Sequence, residues 1–363
     1  MYIKKINLKN FRNYEGAELE FSPLTNIIYG NNAQGKTNIL EAVYLFAQGR
    51  SHRAKTDKEL VRFGTDFAGL AIEFEDRNRK YIGKMQILKN GRKAVNINHV
   101  NILKLSQLMN YLNVVMFSPE DLNMVKGSPN IRRRFADSAI SQLYPSYLAA
   151  LMEYNKVLNQ KNSLLRTNKN SINNVKKTLW IWNEQLAGLA EKIMKARLEF
   201  TENISAVAKA IQNDISGEVL DIQYAPNLKL SDISKESIYD YLNDHADREI
   251  DAVSSLYGIQ RDDMEICVDG REAKLFASQG QQRTAALSMK IAQSDYINSV
   301  KGEYPILLLD DIMSELDISR RMYLSECIRD KQVLITSTDT DLAGKDTKTR
   351  QFKIEKGRIT DVS

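Results

Sequence analysis

One octet limits the fold of this chain more than any other feature. Residues 30–37 read Gly30-Asn31-Asn32-Ala33-Gln34-Gly35-Lys36-Thr37, the G-x-x-x-x-G-K-[ST] pattern. An apolar run, 24–29, precedes it, and Ile39, Leu40, Val43, Tyr44 and Phe46 follow at helical spacing. A strand, a glycine loop and a buried helix are therefore expected in succession. That is half of a βαβ unit, and it commits the chain to an α/β body. The residue types have chemical reasons. Glycines let the backbone wrap an anion, successive N–H groups and the helix N-terminus face it, Lys36 adds a mobile positive charge, and the Thr37 hydroxyl reaches Mg²⁺. The octet reads as a cradle for the β- and γ-phosphates of a nucleotide.

A second element fits the first. The apolar run Ile306 to Leu309 delivers two carboxylates, Asp310 and Asp311, at its C-terminal end, where open α/β sheets bind ligands. Asp310 suits the magnesium shell, and Asp311 suits orienting or deprotonating an attacking water. Between the two elements, Ser278-Gln279-Gly280-Gln281-Gln282 opens a helix expected over 281–299. A serine hydroxyl, a flexible glycine and fresh helix N–H groups make a second anion cradle.

Strands are expected at 2–8, 17–21 and 24–29, and in further stretches over 67–98, where Asn90-Gly91 between alternating runs signals a hairpin. From about 128 to 217 the pattern turns helical. Its most regular part is 186–211, where Leu186, Leu189, Ile193, Ala196, Phe200, Ile204, Val207 and Ile211 step by threes and fours. Twenty-six such residues span about 40 Å, which suggests a packed lobe and not a long arm. The polar stretch 166–177 looks like its tip. Strand signals return at 219–225 and 264–269, then helix 281–299, strand 306–310, helix 319–328, strand 332–336 and a terminal strand pair. With 363 residues, the expected organisation is one α/β domain, 1–125 with 255–363, interrupted by a mainly helical insertion, 126–254.

Cys267 and Cys327 form neither a disulfide framework nor a zinc motif, no signal peptide is recognisable, and no uncharged apolar run is long enough to cross a bilayer. A cytoplasmic protein without a membrane partner is the expectation. His52, His99 and His245 show no ligand spacing and read as surface or core residues, and Trp180 and Trp182 as packing in the helical lobe.

The order of phosphate loop, S-x-G-Q signature, strand-DD and Ser314-Glu315-Leu316-Asp317 resembles that of ABC-type ATPases, in which the signature completes the site of a second subunit. More closely, MYIKKINLKNFRNY, GNNAQGKTNILEA, GRSHR at 49–53, FSPEDL, RRRFAD, SQGQQRTAALSMKIA and LLLDDIMSELD are similar to the RecF family of bacterial recombination-repair proteins, with matches scattered from residue 1 to about 340. The resemblance implies an ABC-type P-loop ATPase head with a helical inserted lobe. It implies ATP and Mg²⁺ as cofactors, an ATP-dependent homodimer, and binding to single-stranded, double-stranded and gapped DNA. RecR and RecO are the implied partners in helping RecA load, with SOS induction downstream. Carried over, Gly30 to Thr37 would hold phosphates and magnesium, Asp310 the metal and Asp311 the water. Ser278 and Gly280 would touch the partner chain's γ-phosphate, and Arg12 would add a phosphate or adenine-side contact.

There are departures. Gln260 stands where relatives usually carry histidine, and Thr336, Ser337 and Thr338 stand where ABC transporters carry a switch histidine. Asp311 replaces a common glutamate and is one methylene shorter, so a weak, DNA-stimulated ATPase is expected, turning over well below the roughly 1–100 per second of kinases.

With 51 basic and 46 acidic residues, the net charge of +5 is too small to identify a nucleic-acid partner by itself. Its distribution is more telling. Residues 77–104 carry eight basic and no acidic side chains and 154–183 carry six and none, while Arg50, Arg53, Lys55 and Lys58 form a third cluster and Arg132, Arg133 and Arg134 a fourth. Two alternatives compete with the repair ATPase: an ATPase subunit of a membrane transporter, and a DNA scaffold in which the nucleotide is structural.

Overall fold

The computed structural model describes residues 1–167, 172–338 and 349–363. In chain order its elements are β1 (Tyr2–Phe11), β2 (Tyr14–Glu20), β3 (Thr25–Tyr29), α1 (Lys36–Gln48), β4 (Phe67–Glu75), β5 (Lys80–Leu88), β6 (Lys93–Ile97), β7 (Val100–Ile102), β8 (Val114–Phe117), α2 (Asn123–Lys126), α3 (Pro129–Leu143), α4 (Pro145–Thr167) and α5 (Ile172–Ser216). There follow β9 (Leu220–Ala225), α6 (Lys235–Asp244), α7 (Ala246–Ala252), β10 (Asp263–Val268), β11 (Arg271–Glu272), α8 (Ala273–Phe276), α9 (Gln279–Lys301), β12 (Ile306–Asp310), α10 (Ile312–Glu315), α11 (Ile318–Cys327), β13 (Val333–Ser337), β14 (Arg350–Glu355) and β15 (Arg358–Val362). No helix among the described residues is long and apolar enough to cross a membrane.

Two compact units result, residues 1–121 with 290–363, and residues 122–289. The first holds two six-stranded sheets. One is antiparallel, in the order β2-β1-β4-β5-β6-β7, and the other runs β15-β14-β3-β13-β12-β8, parallel except for β15 at its edge. Helix α1 contributes Ile39, Leu40, Val43 and Phe46 to one core with Ile3, Ile6, Ile72 and Met85 of the first sheet and Ile28, Leu308 and Leu334 of the second. A helix apolar on every side has to be covered on every side, which explains why the expected phosphate-loop helix carries so little polar surface. Phe46 comes so close to β5 that only glycine fits there: a Cβ on Gly83 would lie 2.1 Å from Phe46 Cζ. The Asn90-Gly91 hairpin forms as expected, with Gly91 in the left-handed region and its N–H donating to Leu88 O at 2.8 Å.

The second unit is mainly helical, with a three-stranded antiparallel sheet, β11-β10-β9. Of the predicted stripe, Leu186, Ile193, Phe200, Ile204 and Ile211 lie in the interior, while Leu189, Ala196 and Val207 are half-buried. The helix is longer than the expected 186–211, however. Helix α5 runs for 45 residues, about 67 Å at 1.5 Å per residue. The stretch 166–177 lies partly outside the described residues. Pairing of β10 with β9, Ile266 opposite Ile222, ties residues 263–268 to the helical unit. The expected boundary at 255 therefore falls inside the unit that ends at 289.

Midway along the apolar stripe of α5 sits a buried arginine. Arg197 bonds Asp137 through Nε at 3.0 Å and Nη2 at 2.9 Å, and Asp262 through Nη1 at 2.9 Å. Burial opposes its charge, but Asp137, Asp262 and the neighbouring tyrosines outweigh that and keep it firmly protonated. Asp262 also accepts from the Tyr224 hydroxyl and, at 2.9 Å, from Asn227 N. Removing the cation takes away the side chain that bonds both carboxylates, leaving the half-buried Arg133 as their nearby counter-charge. Replacing Arg197 with Met is therefore expected to cost about 3–5 kcal/mol, read as the fall in unfolding free energy in urea.

Candidate nucleotide site

Strand β3 ends at Tyr29 and releases the chain into the loop 30–35 at the carboxyl end of the parallel sheet. The first residue of that loop must be glycine. Gly30 has φ 147°, and a Cβ would lie 2.4 Å from Ile354 O. Gly35 caps α1 with no side-chain acceptor, and the first turn carries no acidic residue. The first N–H groups of α1 thus face the loop without a side-chain partner and with the positive end of the helix dipole, an arrangement that favours an anion. Lys36 is buried, and its ammonium donates to Gly30 O at 2.6 Å and Asn31 O at 3.1 Å.

Thr37 points toward the carboxylates. Its hydroxyl donates to Asp310 Oδ1 at 2.8 Å, and Thr336 Oγ1 donates to the same oxygen at 2.8 Å. Thr336 in turn accepts from the backbone N–H of Asp311 at 2.9 Å. A hydroxyl and a carboxylate oxygen side by side are the donors a hard divalent cation takes. Asp311 sits in the left-handed region, φ 50°, at the start of α10. Burial pushes its carboxyl above the ordinary range; the Lys36 charge opposes this, the Asp310 charge adds to it, and the Thr336 hydroxyl counters it. A carboxylate of raised proton affinity, beside a cation cradle, is equipped to accept a proton from water.

Sequence reasoning missed what holds the loop in place. Asn13 Nδ2 donates to Gln34 O at 2.8 Å, and Tyr14 hydroxyl to Gly35 O at 3.1 Å. From the other end of the chain, Gly357 N donates to Gln34 O at 3.0 Å and Lys356 N to Gln34 Oε1 at 2.6 Å. The only available signal was the N-F-R-N-Y block, and nothing in residues 350–360 announces a contact with residue 34. Asn31, Asn32 and Ala33 complete the turn, with Ala33 at φ 62°. On its outer side, a cleft of about 930 Å³ is lined by Gly30, Asn31, Gln34, Lys353, Lys356 and Arg358, among others.

Arg12, expected to meet phosphate or adenine, is engaged elsewhere. It forms a two-point ion pair with Glu41 of α1, at 2.9 and 2.6 Å, and donates to Glu59 O at 3.1 Å. Glu41 is fully buried and also accepts from Ser51 Oγ at 2.5 Å. Burial pushes the Glu41 carboxyl up, but Arg12 and Ser51 outweigh it and hold it below its ordinary range. Nearby His52 packs edge-on against Tyr44, and burial lowers its proton affinity against the pull of Glu41 and Asp310.

In the second unit, Ser278 opens α9 by a reciprocal pair of bonds. Gln281 N donates to Ser278 Oγ at 3.2 Å, and Ser278 N to Gln281 Oε1 at 2.7 Å. Ser278 is exposed and Gly280 lies in the first turn. Leu275 and Phe276, just before it, stand exposed.

Several basic residues counted toward nucleic-acid surfaces prove structural. Arg132 is buried against Asp263 at 2.6 and 2.8 Å, Arg133 donates to Asp262 O at 2.6 Å, Lys93 pairs with Asp57 at 2.7 Å, and Lys161 with Glu249 at 2.6 Å. Of the arginine triplet only Arg134 is exposed. Trp180, expected to pack inside, is 47% exposed, its indole donating to Lys177 O at 3.0 Å.

A family model described as RecF/RecN/SMC N terminal domain matches residues 2–360. Among curated proteins, the chain is 43% identical over 349 residues to the DNA replication and repair protein RecF of Staphylococcus carnosus, covering 94% of each chain. It is 41% identical over 363 residues to that of Clostridium perfringens, covering 99% of each. Among solved structures, it is similar to one described as the recombination mediator protein RecF-ATP in the RecFOR pathway. There the TM-score is 0.91 and the identity 32%, covering 100% of this chain and 97% of that one. A Smc head bound to the C-winged helix domain of ScpA shares the fold, with a TM-score of 0.60 at 17% identity.

The Arg12–Glu41 pair makes a prediction. Arg12→Ala leaves a buried carboxylate without its cation and is expected to lower the unfolding free energy by about 3 kcal/mol at neutral pH. Glu41 has a depressed affinity for protons, so the stability it contributes is present above its unfolded value, about 4.3, and is lost as pH falls through its folded value. Denaturant unfolding should therefore show the wild-type advantage over Arg12→Ala narrowing below about pH 4.

Proposed function

Because the chain belongs to the RecF/RecN/SMC N-terminal domain family and stands with the RecF proteins within it, we propose that it is an ATP-driven DNA-binding switch of replication-coupled repair. The observation that carries this reading is the meeting of Thr37, Asp310 and Thr336 at the mouth of the Lys36 loop. An anion cradle, a two-oxygen cation seat and a carboxylate poised above its usual range fit magnesium and a triphosphate better than any other common ligand.

In this reading Gly30 to Thr37 hold the phosphates, and Thr37 with Asp310 hold Mg²⁺. When bound, the ion spreads the charge of the β- and γ-oxygens. Lys36 turns from the loop carbonyls to the phosphates. Asp311 takes the proton of a water attacking the γ-phosphorus, and ADP leaves. Its short side chain makes the step slow, so the nucleotide acts more as a timer than as fuel. Arg12 serves by holding Glu41, and with it α1, and makes no phosphate contact of its own. Ser278 and Gly280 reach the γ-phosphate on a second copy, so that ATP binds the dimer better than the monomer and shifts the population toward it. The paired form grips single-stranded, duplex or gapped DNA. Solved relatives are placed in the RecFOR pathway, which supports RecO and RecR as partners in helping RecA load.

Sedimentation with and without ATP and Mg²⁺ tests this reading. Wild type is expected to double in mass with nucleotide, and Ser278→Arg to stay a monomer while still binding ATP. Asp311→Asn is expected to dimerise, hold DNA, and turn over at least about 10²-fold more slowly. A wild-type protomer that stays single at saturating nucleotide, with or without DNA, would sink the proposal. So would DNA affinity indifferent to Lys36→Ala, which would favour the scaffold.

A further inference from the structure

The antiparallel sheet of the first unit has two unlike faces. Inward, Leu8, Leu70, Met85 and Val95 join the core. Outward, the register aligns two rows across the strands. One is Asn7, Ala71, Lys84, Asn96 and Asn101, and the other is Lys9, Gly69, Gln86 and Ala94. Small residues, Gly69, Ala71 and Ala94, fall in the middle strands and amides or lysines at their sides, so the face is hollowed into a trough of about 440 Å³. From β1 to β7 it crosses four strand spacings, about 19 Å. Phe67 lies at one side, with the Lys9 ammonium 5.7 Å from its ring centre.

Glu18, at 2.5 Å, Glu20, at 3.8 Å, and Glu73, directly across on β4, lie round Lys5, while Glu75 pairs with Lys80 and the exposed Asp66 adjoins Phe67. Among the described residues the trough itself is lined by no carboxylate, and neither Lys9 nor Lys84 forms an ion pair. Lys89 N donates to Asp66 O at 2.9 Å, which brings the hairpin turn with Lys89 and Arg92 beside the segment carrying the fully exposed Phe63.

Taking the DNA-binding reading above as its premise, we infer that this trough is a seat for single-stranded polynucleotide on each protomer. Lys9, Lys84, Lys89 and Arg92 supply cations for successive phosphates. Asn7, Gln86, Asn96 and Asn101 offer both donors and acceptors to base edges, and Phe67 and Phe63 offer rings for stacking. A hollow of about 440 Å³ has room for an unpaired base or sugar. An acidic peptide would satisfy the lysines and could bond the amides through its backbone, but an acidic side chain offers the rings no flat face to stack on.

The test is fluorescence anisotropy of a labelled oligothymidine titrated with the full chain in the presence of ATP and Mg²⁺. Lys9→Glu with Lys84→Glu is expected to weaken binding about tenfold or more, and Lys9→Gln with Lys84→Gln to reduce the salt slope by about 1.4. Gly69→Leu fills the hollow without altering charge. A Cβ there meets only Lys9 Cβ at 3.6 Å, so thermal unfolding should be unchanged while oligothymidine binding falls. Wild type that binds oligothymidine as tightly as all three variants do overturns the trough and leaves the wider DNA reading standing. Wild type that binds no DNA, with or without ATP, overturns both. Polyglutamate binding that the variants abolish, with oligothymidine binding intact, assigns the trough to an acidic peptide and also overturns the inference.

Discussion

The hydrogen bond from Thr37 to Asp310 joins residues 273 positions apart at 2.8 Å, and the candidate site exists only where it can form. It depends on sheet order. Strand β13 lies between β3 and β12, in parallel register with both, so that Ile28, Thr336 and Asp310 share one row. A slip of one residue in either pairing would turn Asp310 or Thr336 to the opposite face. It would also break the hydroxyl bridge to Asp311. The near-continuous apolar runs of β12 and β13 do not fix that register by themselves, because both faces are buried. The polar residues at their carboxyl ends help to set it, since only one alignment satisfies Thr336 with both Asp310 and the Asp311 N–H.

The loop is held from outside to the same standard. Gln34 is gripped by Asn13 from the start of the chain and by Lys356 and Gly357 from its end. Its backbone is thereby ordered by groups that need never touch a ligand. Donors already fixed in place cost little reorganisation when charge arrives, which is how a cradle of N–H groups gains its strength. Arg12 belongs to the same support. By neutralising Glu41 inside the fold, it lets a carboxylate sit on a helix otherwise packed on all sides.

Local pattern made much of this legible. The strand, loop and helix around the octet, the Asn90-Gly91 hairpin, the apolar strand before Asp310 and the stripe of α5 each announce themselves within a few residues, through periodicity or backbone demands. Residues whose meaning depends on a distant partner do not. A positive charge near a phosphate loop, as at Arg12, is ambiguous until Glu41 is seen across from it. Arg132 and Arg133 counted as surface because Asp262 and Asp263 lie about 130 positions on. Lys356 and Gly357 carried no sign at all. Gln260 accepts from the Tyr154 hydroxyl at 2.6 Å and donates to Tyr257 O at 2.8 Å; those two bonds need an acceptor and a donor, not a titrating ring.

Basic side chains therefore have to be divided by what they face before their charge says anything about partners. Arg12, Lys93, Arg132, Lys161 and Arg197 neutralise carboxylates within the molecule, whereas Lys9, Lys84, Lys89 and Arg92 form no ion pair among the described residues. Strand β5 shows how narrow the division is. Gly83 points inward, where its missing side chain admits the Phe46 ring of α1, and Lys84, the next residue, points outward into the trough. The two-residue period of a strand thus places the packing of the phosphate-loop helix and the floor of the outer trough on opposite faces of one sheet. A shift of α1 large enough to move Phe46 presses on the backbone of β5, and that backbone also carries Lys84 and Gln86.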